Sequence, residues 1–156
     1  MDNVRTLIRR TVELAKESIR NGGGPFGALI VKDGLIISEA CNSVIPLNDP
    51  TAHAEILAIR KASASLGSHD LRGCILFTSC EPCPMCLGAV YWSGIRTVYY
   101  SSDRDAAARA GFADANIYAE LLLKPAERTV AFFQIDDPEA AEVFQNWSQL
   151  DNKTPY

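Results

Sequence analysis

No stretch of this 156-residue sequence offers the run of roughly 20 apolar residues that a membrane-spanning helix needs. The first residues, Met1-Asp2-Asn3-Val4-Arg5, lack the apolar segment of a secretory signal. A cytoplasmic protein without a membrane partner is expected. Positive charge is also short, with 15 Lys and Arg against 19 Asp and Glu, a net charge of -4. Phosphate backbones are bound by clustered Lys and Arg, so this balance argues against a nucleic-acid partner. Arg5, Arg9 and Arg10 read as the solvated face of a helix. Repeats, linkers and low-complexity segments are missing, and the length suits one domain over 1–156. A disulfide framework is disfavoured too. The cysteines number five, and Cys80, Cys83 and Cys86 crowd into seven residues, which suits a reducing compartment and a metal.

What is present alternates. Val4, Leu7, Ile8, Val12, Ala15 and Ile19 recur at helical spacing and predict a helix over 3–20, stopped by Asn21-Gly22-Gly23-Gly24-Pro25. Two apolar runs, 26–31 and 35–41, flank the hairpin signal Asp33-Gly34. A helix is expected over 50–66, with Asp49 as N-cap and Pro50 as first residue. Strands follow at 74–78, 95–100 and 131–135, and helices at 84–92 and 137–149. This order predicts an α/β domain with a mixed sheet covered by helices.

The chemistry concentrates in Pro50-Thr51-Ala52-His53-Ala54-Glu55 and, about thirty residues on, Pro82-Cys83-Pro84-Met85-Cys86. His-x-Glu followed by Pro-Cys-x-x-Cys is the signature of zinc deaminases. His53, Cys83 and Cys86 supply three zinc ligands and leave a fourth position for water, as a catalytic rather than a structural zinc does. Glu55 is then free to shuttle protons. Cys83 and Cys86 share a helix face. His53 and Glu55, two apart, do not, and they converge only at a helix start. A structural zinc with Cys80 or His69 as fourth ligand, an iron–sulfur half-motif and a surface-loop role for His69 stay open at this point. Cys41 and Cys74 read as buried and inert. Gly22-x-Gly24-x-x-Gly27 follows a helix and enters a strand, the reverse of a dinucleotide-binding context, and reads as backbone freedom around Phe26.

These motifs resemble the cytidine deaminase superfamily and, within it, the bacterial guanine deaminases. The resemblance extends over nearly the whole chain. It includes Gly24-Pro25-Phe26-Gly27, Asn42, residues 48–55 and 78–86, and Tyr91-Trp92. Its more specific parts are Ala110-Gly111-Phe112-Ala113-Asp114, Ile117-Tyr118 and Lys153-Thr154-Pro155-Tyr156. It implies a three-layer α/β/α sandwich with a central five-stranded mixed sheet. It also implies one Zn2+ per subunit on His53, Cys83 and Cys86, and homodimers that exchange a C-terminal segment of about 137–156. Glu55 and Asp114 are implied as catalytic. Asn42, Ala54, Asp114, Phe26 and Trp92 are implied as contacts to a purine base, with Tyr156 closing the partner's site. The expected reaction is guanine to xanthine and ammonia. Guanosine, another aminopurine or a triazine are alternative substrates; a tRNA adenosine deaminase and a non-catalytic zinc domain are the remaining alternatives. Ala113 departs from the family, which often has aspartate there, and loop geometry is where a difference is expected.

Overall fold

A computed structural model describes residues 2–112 and 114–154; Met1, Ala113, Pro155 and Tyr156 lie outside the described residues. The chain divides into two compact units, 1–116 and 117–156.

The first unit opens with α1 (Asp2–Arg20), then β1 (Gly27–Lys32) and β2 (Leu35–Cys41). Asp33 and Gly34 take φ of 51° and 80°, the paired positive angles of a type I′ turn, so the hairpin forms where its two residues announce it. A short α2 (Val44–Leu47) leads to α3 (Ala54–Leu66), β3 (Cys74–Cys80), α4 (Pro84–Trp92), β4 (Thr97–Ser102) and α5 (Arg104–Arg109). The strands order as β2-β1-β3-β4. β1 is antiparallel to both β2 and β3, and β3 is parallel to β4, so the sheet is mixed as expected.

Alternate residues of β1 feed two core clusters, as strand geometry requires. Ala28 and Ile30 join Ala54, Ala58 and Ala62 of α3 and Val90 of α4. Leu29 and Val31 join Leu7 of α1 and Phe77 of β3. Gly27 sits where α1 comes closest: a Cβ there would lie 2.4 Å from the Thr11 carbonyl oxygen and 2.5 Å from Leu14 Cβ. Gly27, which opens β1, and Gly23 before it therefore serve close packing as much as freedom around Phe26. A Cβ at position 23 would lie 2.2 Å from the Asn42 carbonyl oxygen, which also accepts from Ser18 Oγ at 2.8 Å.

Two expectations are corrected. The sheet has four strands among the described residues, not five. Residues 131–135 take no regular structure, and Phe132, Phe133 and Ile135 are exposed. An apolar run becomes a strand only when another strand satisfies its backbone, and the described residues of the second unit form none. The helix expected from Pro50 starts at Ala54 instead, with His53 as its N-cap. Asp49 does not cap it. Its carboxylate accepts from the Thr51 N–H at 2.8 Å and the Thr51 hydroxyl at 2.7 Å, closing a local turn that competes with helix.

The second unit holds most of α6 (Ala115–Leu121), a 3-10 turn (Pro125–Glu127) and α7 (Pro138–Ser148), capped by Asp137 through the Glu139 N–H. None of its described residues is buried, and Val143, Phe144 and Trp147 of α7 are exposed.

Candidate functional site

His53 and Cys83 are the N-cap residues of α3 and α4, with nearly the same backbone: φ -67° and ψ 152° for one, φ -66° and ψ 170° for the other. Neither side chain makes the capping bond that its position invites. Both are turned instead toward each other. His53 Nδ1 lies 3.5 Å from Cys83 Sγ and 3.6 Å from Cys86 Sγ. The extended N-cap backbone answers the spacing problem at α3, since His53 leaves the helix axis while Glu55, in the first turn, points inward. Cys86 follows Cys83 by three residues and closes the set.

The donor set fits zinc. Zinc–sulfur and zinc–imidazole bonds of about 2.3 Å and 2.0–2.1 Å at a tetrahedral angle put nitrogen and sulfur roughly 3.6 Å apart. The three ligand atoms lie within 4.8 Å of one another, and among the described residues no fourth His, Cys, Asp or Glu joins the group. Cys80, whose thiol contacts the Asp103 carbonyl at 3.6 Å and is pushed up to about 11 by burial, stands outside it. His69 lies on an exposed loop, as expected. The structural-zinc and iron–sulfur alternatives therefore lack their ligands. All five cysteines are free; Cys74 is buried as expected, whereas Cys41 is only half-buried.

Electrostatics favour a cation here. The Cys86 hydrogen bond, followed by that of His53, holds Cys83 down to about 4, a thiolate at neutral pH. Cys86 is pushed up by sharing its proton with Cys83 and by burial. His53 is raised, chiefly by its hydrogen bond to Cys83. Glu55 is 5% exposed and its carboxyl is pushed up, first by burial. Its oxygens meet Thr78 Oγ1 at 3.4 Å and Cys86 Sγ at 3.5 Å.

Asn42, nearly buried, accepts through Oδ1 from the Gly24 N–H at 3.2 Å and the Val44 N–H at 3.4 Å. Two backbone donors on its oxygen fix the amide's orientation and make its NH2 the group left to meet a ligand. Asp114 lies within electrostatic reach of His53 and raises its pKa. Its Oδ1 is the buried side-chain oxygen without a hydrogen-bond partner among the described residues. Such an orphan costs roughly 1–3 kcal/mol or more unless something pairs with it. Ala54 is fully buried, its methyl in the larger core cluster. Phe26 is half-buried and meets Phe112. Trp92 is 69% exposed at the far end of α4, roughly 13 Å along the helix from Cys83. Tyr156 lies outside the described residues. Thr78 and Phe112 lie in the motifs that carry the resemblance, but sequence reasoning gave neither a role. Thr78 stands at the start of the second metal motif, and Phe112 directly follows a glycine two residues before Asp114.

The family model for the cytidine and deoxycytidylate deaminase zinc-binding region matches residues 1–102. The chain is 52% identical over 155 residues to guanine deaminase of Bacillus subtilis, covering 99% of each. The crystal structure of a Bacillus subtilis guanine deaminase superposes with a TM-score of 0.94 at 52% identity, over 97% of this chain and 98% of that one. A guanine deaminase structure from Nitrosomonas europaea gives a TM-score of 0.66 at 39% identity, over 69% and 63%. A tRNA-specific adenosine deaminase of Aquifex aeolicus is 50% identical over 88 residues, covering only 56% of this chain and 58% of that protein.

Proposed function

Because the chain belongs to the zinc-binding cytidine and deoxycytidylate deaminase family, we propose that it is a zinc-dependent aminohydrolase that converts guanine and water to xanthine and ammonia. The observation that carries guanine is the unpaired, buried oxygen of Asp114, within electrostatic reach of His53. A carboxylate only accepts, and guanine offers it the N1–H and the exocyclic NH2. The Asn42 NH2 donates to guanine's ring and carbonyl acceptors. Adenine and cytosine present the wrong polarity to this pair, and an unmet buried hydrogen bond of this kind discriminates by about 10⁴–10⁵.

His53, Cys83 and Cys86 hold the zinc, one ion per subunit, and zinc when bound makes a water nucleophilic at neutral pH. Glu55 takes a proton from the attacking water as the C2–O bond forms and places it on the neighbouring ring nitrogen. It then takes the proton of the new C2 hydroxyl and passes it to the amine as the C2–N bond breaks, leaving the C2 carbonyl of xanthine and ammonia. Its buried position, which weakens the carboxyl as an acid, suits a group that must accept and return a proton. Thr78 steadies one of its oxygens. Asp114 orients the base and shares in proton transfer at its edge. Ala54, with its methyl in the core, contributes through its main chain, and Phe26 lines the ring pocket.

The same reading includes a homodimer in which the segment of about 137–156 is exchanged, bringing Tyr156 over the partner's site. The exposed apolar residues of α7 support it. In this reading Trp92, on α4, lines the ring pocket together with Phe26. The two core clusters on alternate faces of β1 support helices on both sides of the sheet, the three-layer form. Among the described residues no helix is long and apolar enough to cross a membrane; the reading is of a cytoplasmic enzyme that acts on a free base and not on nucleic acid. Ammonia release should be measured across guanine, guanosine, adenine, cytosine, cytidine and ammeline with metal content determined in parallel. Guanine should lead by orders of magnitude; preference for guanosine, for the triazine ammeline or for adenine would replace the substrate assignment.

A further inference from the structure

Phe112 meets Phe26 edge-on, with ring centroids 4.9 Å apart and planes at 85°. The two rings come from distant parts of the chain. Phe26 follows Gly24, whose N–H holds the Asn42 amide, and Phe112 stands two residues before Asp114.

The position of Phe112 is built from both ends of α5. At the start, the Asp103 carboxylate accepts from the Ala106 N–H at 2.8 Å. Arg104 is bound to Glu81, next to the cysteine loop, through its backbone N–H at 3.2 Å and its Nε at 3.1 Å. At the end, Gly111 adopts φ of 94°. The Gly111 N–H donates to the Ala108 carbonyl at 3.0 Å and the Phe112 N–H to the Ala107 carbonyl at 3.0 Å, the two bonds of a Schellman turn. The chain therefore leaves α5 in one direction, and Phe112 is delivered onto Phe26. Two residues span at most about 7 Å, so the grip on Phe112 bounds where Asp114 can be. Phe112 is 43% exposed, which gives it a modest share in the core.

We propose that Phe112 is a positioning residue: its edge-on contact with Phe26 clips the segment carrying Asp114 to the loop carrying Asn42, and so sets the separation of the two groups that read the base. This rests on the guanine reading and deepens it.

The test uses the full-length, zinc-loaded protein. Phe112→Ala should raise KM for guanine by about 3–10-fold, the loss expected of one aromatic pair. kcat should change less, and zinc per subunit and melting temperature should stay put. Phe112→Tyr, which keeps the ring edge, should restore KM, and Phe112→Leu should not. The deciding measurement is a double-mutant cycle with Asp114→Asn, read as the Kd of the guanine isostere 8-azaguanine. If Phe112 acts through Asp114, adding Phe112→Ala to Asp114→Asn costs almost nothing further; additive losses would mean the ring is only a wall and would overturn the proposal. Gly111→Ala, strained at its positive φ, should reproduce the rise in KM and keeps the question decidable should Phe112→Ala misfold. Guanine turnover by the wild type with unchanged KM in these variants sinks this proposal alone. No guanine turnover by the zinc-loaded wild type sinks the substrate reading and this proposal with it.

Discussion

Residues 2–112 and residues 117–154 treat their apolar side chains in opposite ways. The first stretch buries Leu29, Ile30, Leu76 and Phe77 almost completely and brings two helix starts together over one cation site. The second leaves Leu122, Phe133, Ile135 and Phe144 exposed and buries none of its described residues. A segment with that much exposed apolar surface is specified by something other than its own core. The first part thus gathers the residues that the proposed function uses for metal and proton transfer, while the second presents the apolar surface that the proposed exchange would cover.

The sharpest way to break this division is Glu55→Gln. Ammonia release should fall by at least about 10²–10⁴-fold, the usual worth of a proton shuttle, while metal analysis still finds zinc on His53, Cys83 and Cys86. Turnover near wild type would mean that the chemistry does not reside in the first part. Next comes a pair of truncations read by chemical denaturation. Phe77→Ala, at a site 2% exposed and stacked on Tyr99, should cost about 3–5 kcal/mol. Phe144→Ala, 77% exposed, should cost the subunit fold within about 0.5 kcal/mol and instead shift the molecular mass seen by light scattering toward the monomer. Equal losses at both positions would erase the contrast.

The smallest effect expected is a pH-dependent one. Arg10 donates to Glu39 through Nε at 2.8 Å and Nη2 at 2.7 Å, tying α1 to the edge strand β2. That bond holds Glu39 below the ordinary value of 4.5. A depressed carboxyl adds stability above its unfolded pKa and loses it as pH falls through its folded one. Arg10→Met should therefore lower stability at neutral pH, by under about 1 kcal/mol because both side chains are one-third exposed. The two curves should converge as pH falls below the ordinary value of 4.5 and through the lowered folded one; a gap that widens in acid would reverse the assignment.

The metal ligands were legible because their spacing is chemistry: His53, Cys83 and Cys86 meet as the motif requires. The hairpin, α4 and α7 were legible from turn residues and caps. The start of α3 was not, because the turn closed by Asp49 onto Thr51 satisfies the backbone locally and Pro50 looked like a first helical residue. Residues 131–135 read as a strand on composition, but a strand is a property of two chains' backbones and one sequence segment carries half of it. The helix α5 was visible in principle, since Asp103 stands as a cap before an alanine run, yet Ala106–Ala108 have no apolar period to betray it. Phe112 was visible as part of the Ala110–Asp114 motif, but its contact with Phe26 was not, because it depends on the turn that Gly111 makes after α5.

The junction of Ser18 and Gly23 with the Asn42 carbonyl has a thermal consequence. Under the proposed function the ion would be held from α3 and α4, whereas the amide proposed to read the base hangs from the far end of α1. Warming that frays the last turn of α1 should then make the catalyst promiscuous before it makes it metal-free, giving fidelity and cofactor retention separate melting points.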